Sequence, residues 1–138
     1  MTAEGTQTDL EAAQAYVDSM ALARGSVPTY HSVMAAHDLG VLTAMNALAV
    51  STLEAPRSLN ANTKQLAWIS ALIILRAGPE FVTAHIQRAL DLGITPREIL
   101  EAIELTLPVA GIVTFLGGFE SWRRMTGAGG IEPTTNVG

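Results

Sequence analysis

The chain of 138 residues contains no cysteine. This absence excludes disulfides, thiolate zinc sites, cysteine nucleophiles and every peroxidase or reductase reaction that needs a redox-active thiol. Basic residues are also scarce: the chain has 8 Lys and Arg and 13 Asp and Glu, which gives a net charge of −5. A nucleic-acid surface needs clustered basic side chains, so we expect no nucleic acid among the partners of this protein.

Long apolar runs are missing as well. The longest run, Leu66 to Leu75, is about half as long as a membrane span requires. The N-terminal residues are polar and acidic and lack the basic segment and apolar core of a signal peptide. We therefore expect a cytoplasmic protein with no membrane partner.

Several catalytic signatures are absent too. The sequence contains no G-x-S-x-G, no phosphate-binding glycine loop, no H-E-x-x-H and no dinucleotide fingerprint. His31 and His37, six residues apart, make a weak case for a metal site, which needs three or four ligands at defined spacing. We predict neither a metal nor a cofactor.

Nearly half of the side chains are apolar. Hydrophobic residues make up 49% of the chain and charged residues only 15%. A domain of this size has too little interior to bury so much apolar surface. The excess predicts contacts between subunits, and hence a homo-oligomer.

The spacing of the apolar residues is helical nearly throughout, which predicts an all-α protein. We expect residues 1–8 to be a flexible N-terminus, 9–125 a single helical domain and 126–138 a flexible tail. The first helix is expected from Asp9 to Arg24, and Asp38 can cap the third. A helix from roughly Thr63 to Ala77 has almost no polar face, so we expect it to be central and surrounded by its own chain and by a neighbouring subunit.

Two later helix boundaries have stronger signals. Gly78-Pro79-Glu80 places a proline at the first helical position and an acid in the first turn, and Gly93 supplies the C-terminal cap of that helix. Thr95-Pro96-Arg97-Glu98 combines an N-cap threonine with the glutamate of a capping box. Pro108 is expected to kink or end the next helix.

His85 is the most informative polar residue. On a helical wheel it falls among Phe81, Leu92 and Ala89, inside the stripe that we expect to be buried, whereas Glu80 falls on the opposite half. A buried imidazole needs hydrogen-bond partners, so His85 is either a packed core histidine or the centre of a functional site.

Arg76 follows the apolar helix directly. A cation is favourable at a helix C-terminus, and an arginine there could equally hold a substrate carboxylate through two hydrogen bonds. Tyr30 and His31 could line a cavity or lie in a surface turn.

The segment LNANTKQLAWISALIILRAGPEFVTAHIQRALDLGITPREILEAIELTLPVAG resembles the carboxymuconolactone decarboxylase family. That family shares its all-helical fold with the AhpD-type alkylhydroperoxidases, and the resemblance covers about Ser58 to Trp122. It implies an AhpD-like bundle of about six to seven helices around the central helix at roughly 63–77. It also implies assembly as a trimer or hexamer.

The resemblance separates two activities of the family. Peroxidase members carry a C-x-x-C pair at the positions of Gly78 and Phe81 in this sequence, so their activity does not carry over. Decarboxylase members retain the histidine that matches His85, and Glu80 matches an acidic residue just before it. A further acid on the long helix is either replaced by Gln65 or shifted to another position.

The function implied is that of a cofactor-independent, decarboxylase-type lyase in aromatic compound catabolism, acting on a small carboxylated lactone or enol-like compound. His85, with Glu80, would be the catalytic acid/base that protonates the carbanion or dienolate left by CO₂. The residues expected to bind the substrate are Arg76, Trp68, Phe81, Phe115 and His31.

Two alternatives remain open from the sequence. The same pocket and histidine could perform an isomerisation, a hydration or a carbon–carbon cleavage. Alternatively, the protein could be a non-catalytic oligomeric ligand-binding protein in which His85 belongs to the core.

Overall fold

A computed structural model describes residues 3–135, with side chains from residue 6 onward. Residues 1–2 and 136–138, which belong to the ends predicted to be flexible, lie outside the described residues. All regular elements in the described range are helical and none is a strand, which confirms the all-α prediction. Within this range no helix combines the length and the hydropathy that crossing a membrane requires.

The contacts of the chain divide it into two compact units, Met1–Ala55 and Pro56–Gly138. The first unit contains three α-helices and a π-helical segment: α1 (Ala3–Arg24), α2 (Thr29–His37), α3 (Leu39–Ala49) and Val50–Glu54. The second unit contains five α-helices: α4 (Ala61–Ile74), α5 (Pro79–Asp91), α6 (Pro96–Glu104), α7 (Thr106–Ala110) and α8 (Ile112–Thr126).

In the first unit, α2 packs against both α1 and α3 around a small core of Ala13, Ala35 and Leu42. The predicted cap of α3 is confirmed, since the carboxylate of Asp38 accepts a hydrogen bond from the N–H of Val41 at 3.3 Å. Helix α1 begins before the predicted start at Asp9. The sequence did not reveal these first turns, because they are polar and carry no apolar periodicity from which a helix could be predicted.

In the second unit, α4 packs against α5, α6, α7 and α8, and is central as expected. Its buried apolar residues, Ile69 and Ile73, lie in the main core together with Val82, Ile86 and Ile103. The opposite face of α4 is exposed in the single chain, and burial of this face by a neighbouring subunit stays a prediction. The exposed apolar residues in the later turns of α4 and at its end are Ala67, Ala71, Ile74 and Leu75.

The predicted boundaries after α4 agree well with the structure. Gly78 and Pro79 begin α5, and Gly93 follows its C-cap with a positive φ of 81°. Thr95 accepts from the N–H of Glu98 at 3.1 Å, while the Glu98 carboxylate accepts from the N–H of Thr95 at 2.8 Å. This reciprocal pair is the predicted capping box of α6.

Helices α4 and α8 approach each other closely at Gly118. A Cβ atom on Gly118 would overlap Cδ1 and Cγ1 of Ile73 and lie 3.1 Å from its Cγ2. Because Ile73 is buried and would be met on both of its branches, rotating its side chain cannot remove the overlap. Gly117, the preceding residue in the same helix, has open space where its Cβ would lie.

The two glycines predict opposite effects of the same substitution. Gly117→Ala should stabilise the protein by about 0.5–1 kcal/mol, because glycine inside a helix is less stable than alanine by that amount. Gly118→Ala should destabilise it by about 1–3 kcal/mol through overpacking. Urea unfolding of both variants measures the difference, and equal changes in unfolding free energy would show that α4 and α8 do not meet at Ile73.

Candidate functional site

The turn between α4 and α5 determines which residues of the two helices meet. The N–H of Ala77 donates to the carbonyl of Leu72 and the N–H of Arg76 to that of Ile73, both at 3.0 Å. These two hydrogen bonds form a Schellman motif, which requires a left-handed residue just after the helix. Arg76 is that residue, with a φ of 55°. The chain then turns at Gly78 and returns along α4 as α5.

This return brings Gln65 of α4 against His85 of α5. The side-chain amide nitrogen of Gln65 lies 2.8 Å from Nδ1 of His85 and donates to the backbone carbonyl oxygen of His85 at 3.1 Å. Gln65 is almost completely buried, with 1% of its surface exposed. Both contacts of its NH₂ group are therefore made in a site shielded from water.

The two contacts together determine the protonation of the His85 ring. A carbonyl oxygen can only accept, so the end of the Gln65 amide that faces it must be the NH₂ group. The same group then donates to Nδ1, which must accept and therefore carries no proton. The arrangement fits a neutral ring with its proton on Nε2.

An aromatic side chain fixes the plane of the same ring. The ring of Trp68, on α4, stacks on that of His85 with centroids 5.6 Å apart and planes 23° apart. Gln65 and Trp68 are three residues apart and share one face of the helix. Together they contact the ring at Nδ1 and on one face. We call Gln65, Trp68 and His85 the imidazole cluster.

His85 lies at the edge of the buried stripe of α5 and not inside it, so that part of the sequence prediction is wrong. The fully buried residues of α5 are Val82, Ile86 and Ala89, while His85 is half-buried. Phe81 and Leu92, expected in the stripe, are 43% and 42% exposed. Counting these two residues as buried moved the expected centre of the stripe toward His85.

Two other predicted site residues lie on α5 or in its first turn. Phe81 stands one turn before His85, on a neighbouring part of the helix surface. Glu80 is exposed, and its carboxylate folds back beside Gly78 at the start of the helix. The role predicted for Glu80 with His85 stays a prediction.

Arg76 lines a cavity of about 270 Å³ formed by the end of α4, the start of α5 and the first half of α8. Its Nε donates to the hydroxyl of Thr114 at 3.3 Å. The lining of this cavity does not include His85, Trp68, Phe81 or Phe115. We call this space the Arg76 cavity.

Phe115 and His31 have other surroundings. Phe115 packs against the main core of the second unit, with its ring 5.5 Å from that of Phe119. His31 belongs to the first unit, where it is 4% exposed and its ring meets that of Tyr30 edge-on at 4.3 Å. Among the described residues, Nδ1 of His31 and the hydroxyl of Tyr16 have no hydrogen-bond partner. Burial, and after it the charge of Arg24, lower the pKa of His31 from its ordinary value of 6.5.

Sequence reasoning did not identify two residues beside the predicted ones. Gln65 was noticed only as the replacement of an acid, yet its amide is the partner of His85. Lys64 is half-buried and lies four residues before Trp68, on the same face of α4. This spacing in the sequence could have identified it. Among the side chains of residues 6–135, no group of three or more His, Asp or Glu could hold a metal ion.

Comparison with protein families gives one match. Residues 40–122, more than half of the chain, match the model of the carboxymuconolactone decarboxylase family. The matched range contains the imidazole cluster and the Arg76 cavity. Comparisons with curated proteins and with solved structures gave no match.

The environment of His31 predicts a pH dependence of stability. Because its pKa is lowered in the folded state, the unfolded chain binds the proton first as the pH falls below about 6.5. The free energy of unfolding should therefore fall with pH from that point until the folded-state pKa is reached. His31→Gln should flatten this slope between about pH 7 and 5, whereas His37→Gln, at an exposed position, should not. Denaturant unfolding at several pH values measures it, and an unchanged slope in His31→Gln would contradict the assignment.

Proposed function

Because the chain belongs to the carboxymuconolactone decarboxylase family, we propose that it is a cofactor-free, decarboxylase-type lyase acting on a small carboxylated lactone or enol-like compound. The observation that carries this proposal is the double donation of Gln65 to Nδ1 and the backbone carbonyl of His85. It assigns the proton of the ring to Nε2, and we propose that this N–H group binds the substrate.

The role proposed for His85 differs from the proton donor expected from the sequence. A neutral imidazole releases a proton far less readily than an imidazolium, so Nε2–H is suited to hydrogen bonding and not to proton transfer. A positioned N–H donor stabilises the negative charge that develops on a carbonyl oxygen, and one such donor contributes about 10²–10³-fold to the rate. We therefore assign His85 the stabilisation of an enolate oxygen.

The reaction then proceeds in two balanced steps. The bond between the carboxylate carbon and its neighbouring carbon breaks, CO₂ leaves, and the electron pair moves into the conjugated carbonyl to give a dienolate. The dienolate oxygen accepts a hydrogen bond from Nε2–H of His85. A water molecule then transfers a proton to the carbon and leaves as hydroxide, and the product is released.

Other side chains of α4 and α5 suit the remaining parts of the substrate. The ring of Trp68 and the half-exposed ring of Phe81 supply apolar surface, which favours the loss of charge as CO₂ leaves. Lys64 stands on the same face of α4 as Trp68 and supplies a positive charge for the carboxylate. Arg76 is not assigned this task, because the cavity that it lines contains no residue of the imidazole cluster.

The same geometry supports a second reaction class. A neutral N–H donor stabilises an enolate however that enolate arises, so an isomerisation through an enolate would use the same contact of His85. Release of CO₂ distinguishes the two reactions directly.

The exposed apolar side chains support the proposed homo-oligomer. In the second unit, several large apolar residues outside the Arg76 cavity are more than half exposed in the single chain: Leu75, Leu105, Val109 and Ile112. Such residues are commonly covered by another subunit. A trimer or hexamer, as the family resemblance implies, is therefore part of the proposal.

Substitutions at His85 test the proposed role. His85→Ala should lower kcat for CO₂ release from a γ-carboxylated lactone by about 10²–10³-fold. His85→Gln should lose less, because its amide retains an N–H donor near the position of Nε2. His37→Ala, at an exposed position of α2, serves as the control and should leave kcat unchanged.

Two results would contradict the assignment in different ways. Full turnover in His85→Ala would remove His85 from the mechanism. Equal losses in His85→Gln and His85→Ala would favour proton transfer by the ring over hydrogen bonding.

A further inference from the structure

Arg76 adopts a backbone conformation that its side chain disfavours. The second unit contains two Schellman motifs, one after α4 and one after α5, and both need a left-handed residue at the same position. Gly93 fills that position after α5 at no steric cost, whereas Arg76 fills it after α4 with a φ of 55°. An arginine in this conformation is strained, and strained residues concentrate where a side chain has a function.

The side chain of Arg76 is held over a cavity with no acidic residue in its lining. Its Nε is bound to Thr114, and no carboxylate within residues 6–135 pairs with its guanidinium. The remaining polar side chains of the lining are the hydroxyls of Thr114 and Ser121, residues that are 7% and 5% exposed. Arg76 is therefore the one charged group of the Arg76 cavity as described, in a protein whose net charge is negative.

The walls of the cavity are apolar. Ile73, Val82 and Val113 face the same space as the guanidinium and the two hydroxyls. A volume of about 270 Å³ is below the range of pockets that hold drug-sized ligands. One cation with two hydroxyls suits a singly charged carboxylate better than a phosphate, which carries more charge and usually meets several donors.

We infer that the Arg76 cavity is a binding site for a small monocarboxylate with an apolar body, separate from the imidazole cluster. The carboxylate lies against the guanidinium of Arg76 and the hydroxyl of Thr114. The apolar body contacts Val82 and Val113. The turn would favour glycine at this position, and arginine in its place supplies a cation at the cost of backbone strain.

This site does not depend on the proposed lyase reaction. The lining of the Arg76 cavity contains no residue of the imidazole cluster, so we treat the two as separate sites. Binding can therefore be measured without turnover, and a variant of His85 separates the two sites.

The test uses benzoate as the probe, with benzamide as an uncharged analogue of the same shape and inorganic phosphate as a different anion. Titration of the ¹⁵N-labelled full-length protein should shift the Nε–H signal of Arg76 and the amide signals of Thr114, Gly117 and Ser121. Benzamide and phosphate should each bind at least about tenfold more weakly than benzoate, because only benzoate combines one negative charge with an apolar ring.

Variants separate charge from strain. Arg76→Gln and Arg76→Gly should both weaken benzoate binding by about 10–100-fold, since each removes the charge-assisted hydrogen bonds. Arg76→Gly should in addition raise the melting temperature, by about 2–4 °C, because glycine relieves the left-handed strain. Arg97→Gln, which removes an exposed arginine from α6, and His85→Gln should leave benzoate binding unchanged.

Three results would overturn the inference. One is the absence of benzoate-induced shifts at these residues at about 50 mM benzoate. Arg76→Gln could bind benzoate as well as the parent protein does. Loss of binding in His85→Gln would place the probe at the imidazole cluster instead.

Discussion

The buried amide of Gln65 is the interaction on which the candidate site depends. It uses both hydrogens of one NH₂ group on a single residue of the neighbouring helix, Nδ1 and the carbonyl oxygen of His85. This contact holds α5 in register against α4 and fixes the ring at the same time. It exists only because the turn at Arg76 sends the chain back along α4, so the geometry of the turn determines which residue meets Gln65.

The chemical character of Gln65 matters as much as its position. A carboxylate at this place would accept a hydrogen bond from a protonated Nδ1 and stabilise a charged imidazolium. The amide carries no charge and offers donors to a ring nitrogen and to a carbonyl that cannot donate, so it favours the neutral ring. The replacement of an acid by glutamine, read from the sequence as a weakness of the catalytic prediction, thereby changes the proposed role of the histidine from proton donor to hydrogen-bond donor.

The helix boundaries and the contacts between helices show how much of the structure the sequence could predict. Local signals were reliable: the caps at Asp38 and Thr95, the proline after Gly78 and the glycine at residue 93 all lie where their chemistry predicts. Contacts between helices were less accessible, because no local pattern states that Gln65 meets His85 or that Gly118 meets Ile73. The left-handed Arg76 was unpredictable for a stronger reason, since the position favours glycine and only the tertiary structure imposes it on arginine. The exposed face of α4 could not be distinguished from a buried face, because its residues are equally apolar.

The protonation of the His85 ring is the central claim, and ¹⁵N NMR of the imidazole nitrogens at neutral pH tests it most directly. The signals of His85 can be assigned by their loss in His85→Gln, which separates them from those of His31 and His37. The structure predicts a neutral ring with its proton on Nε2 and none on Nδ1. A proton found on Nδ1, alone or together with one on Nε2, would contradict the account.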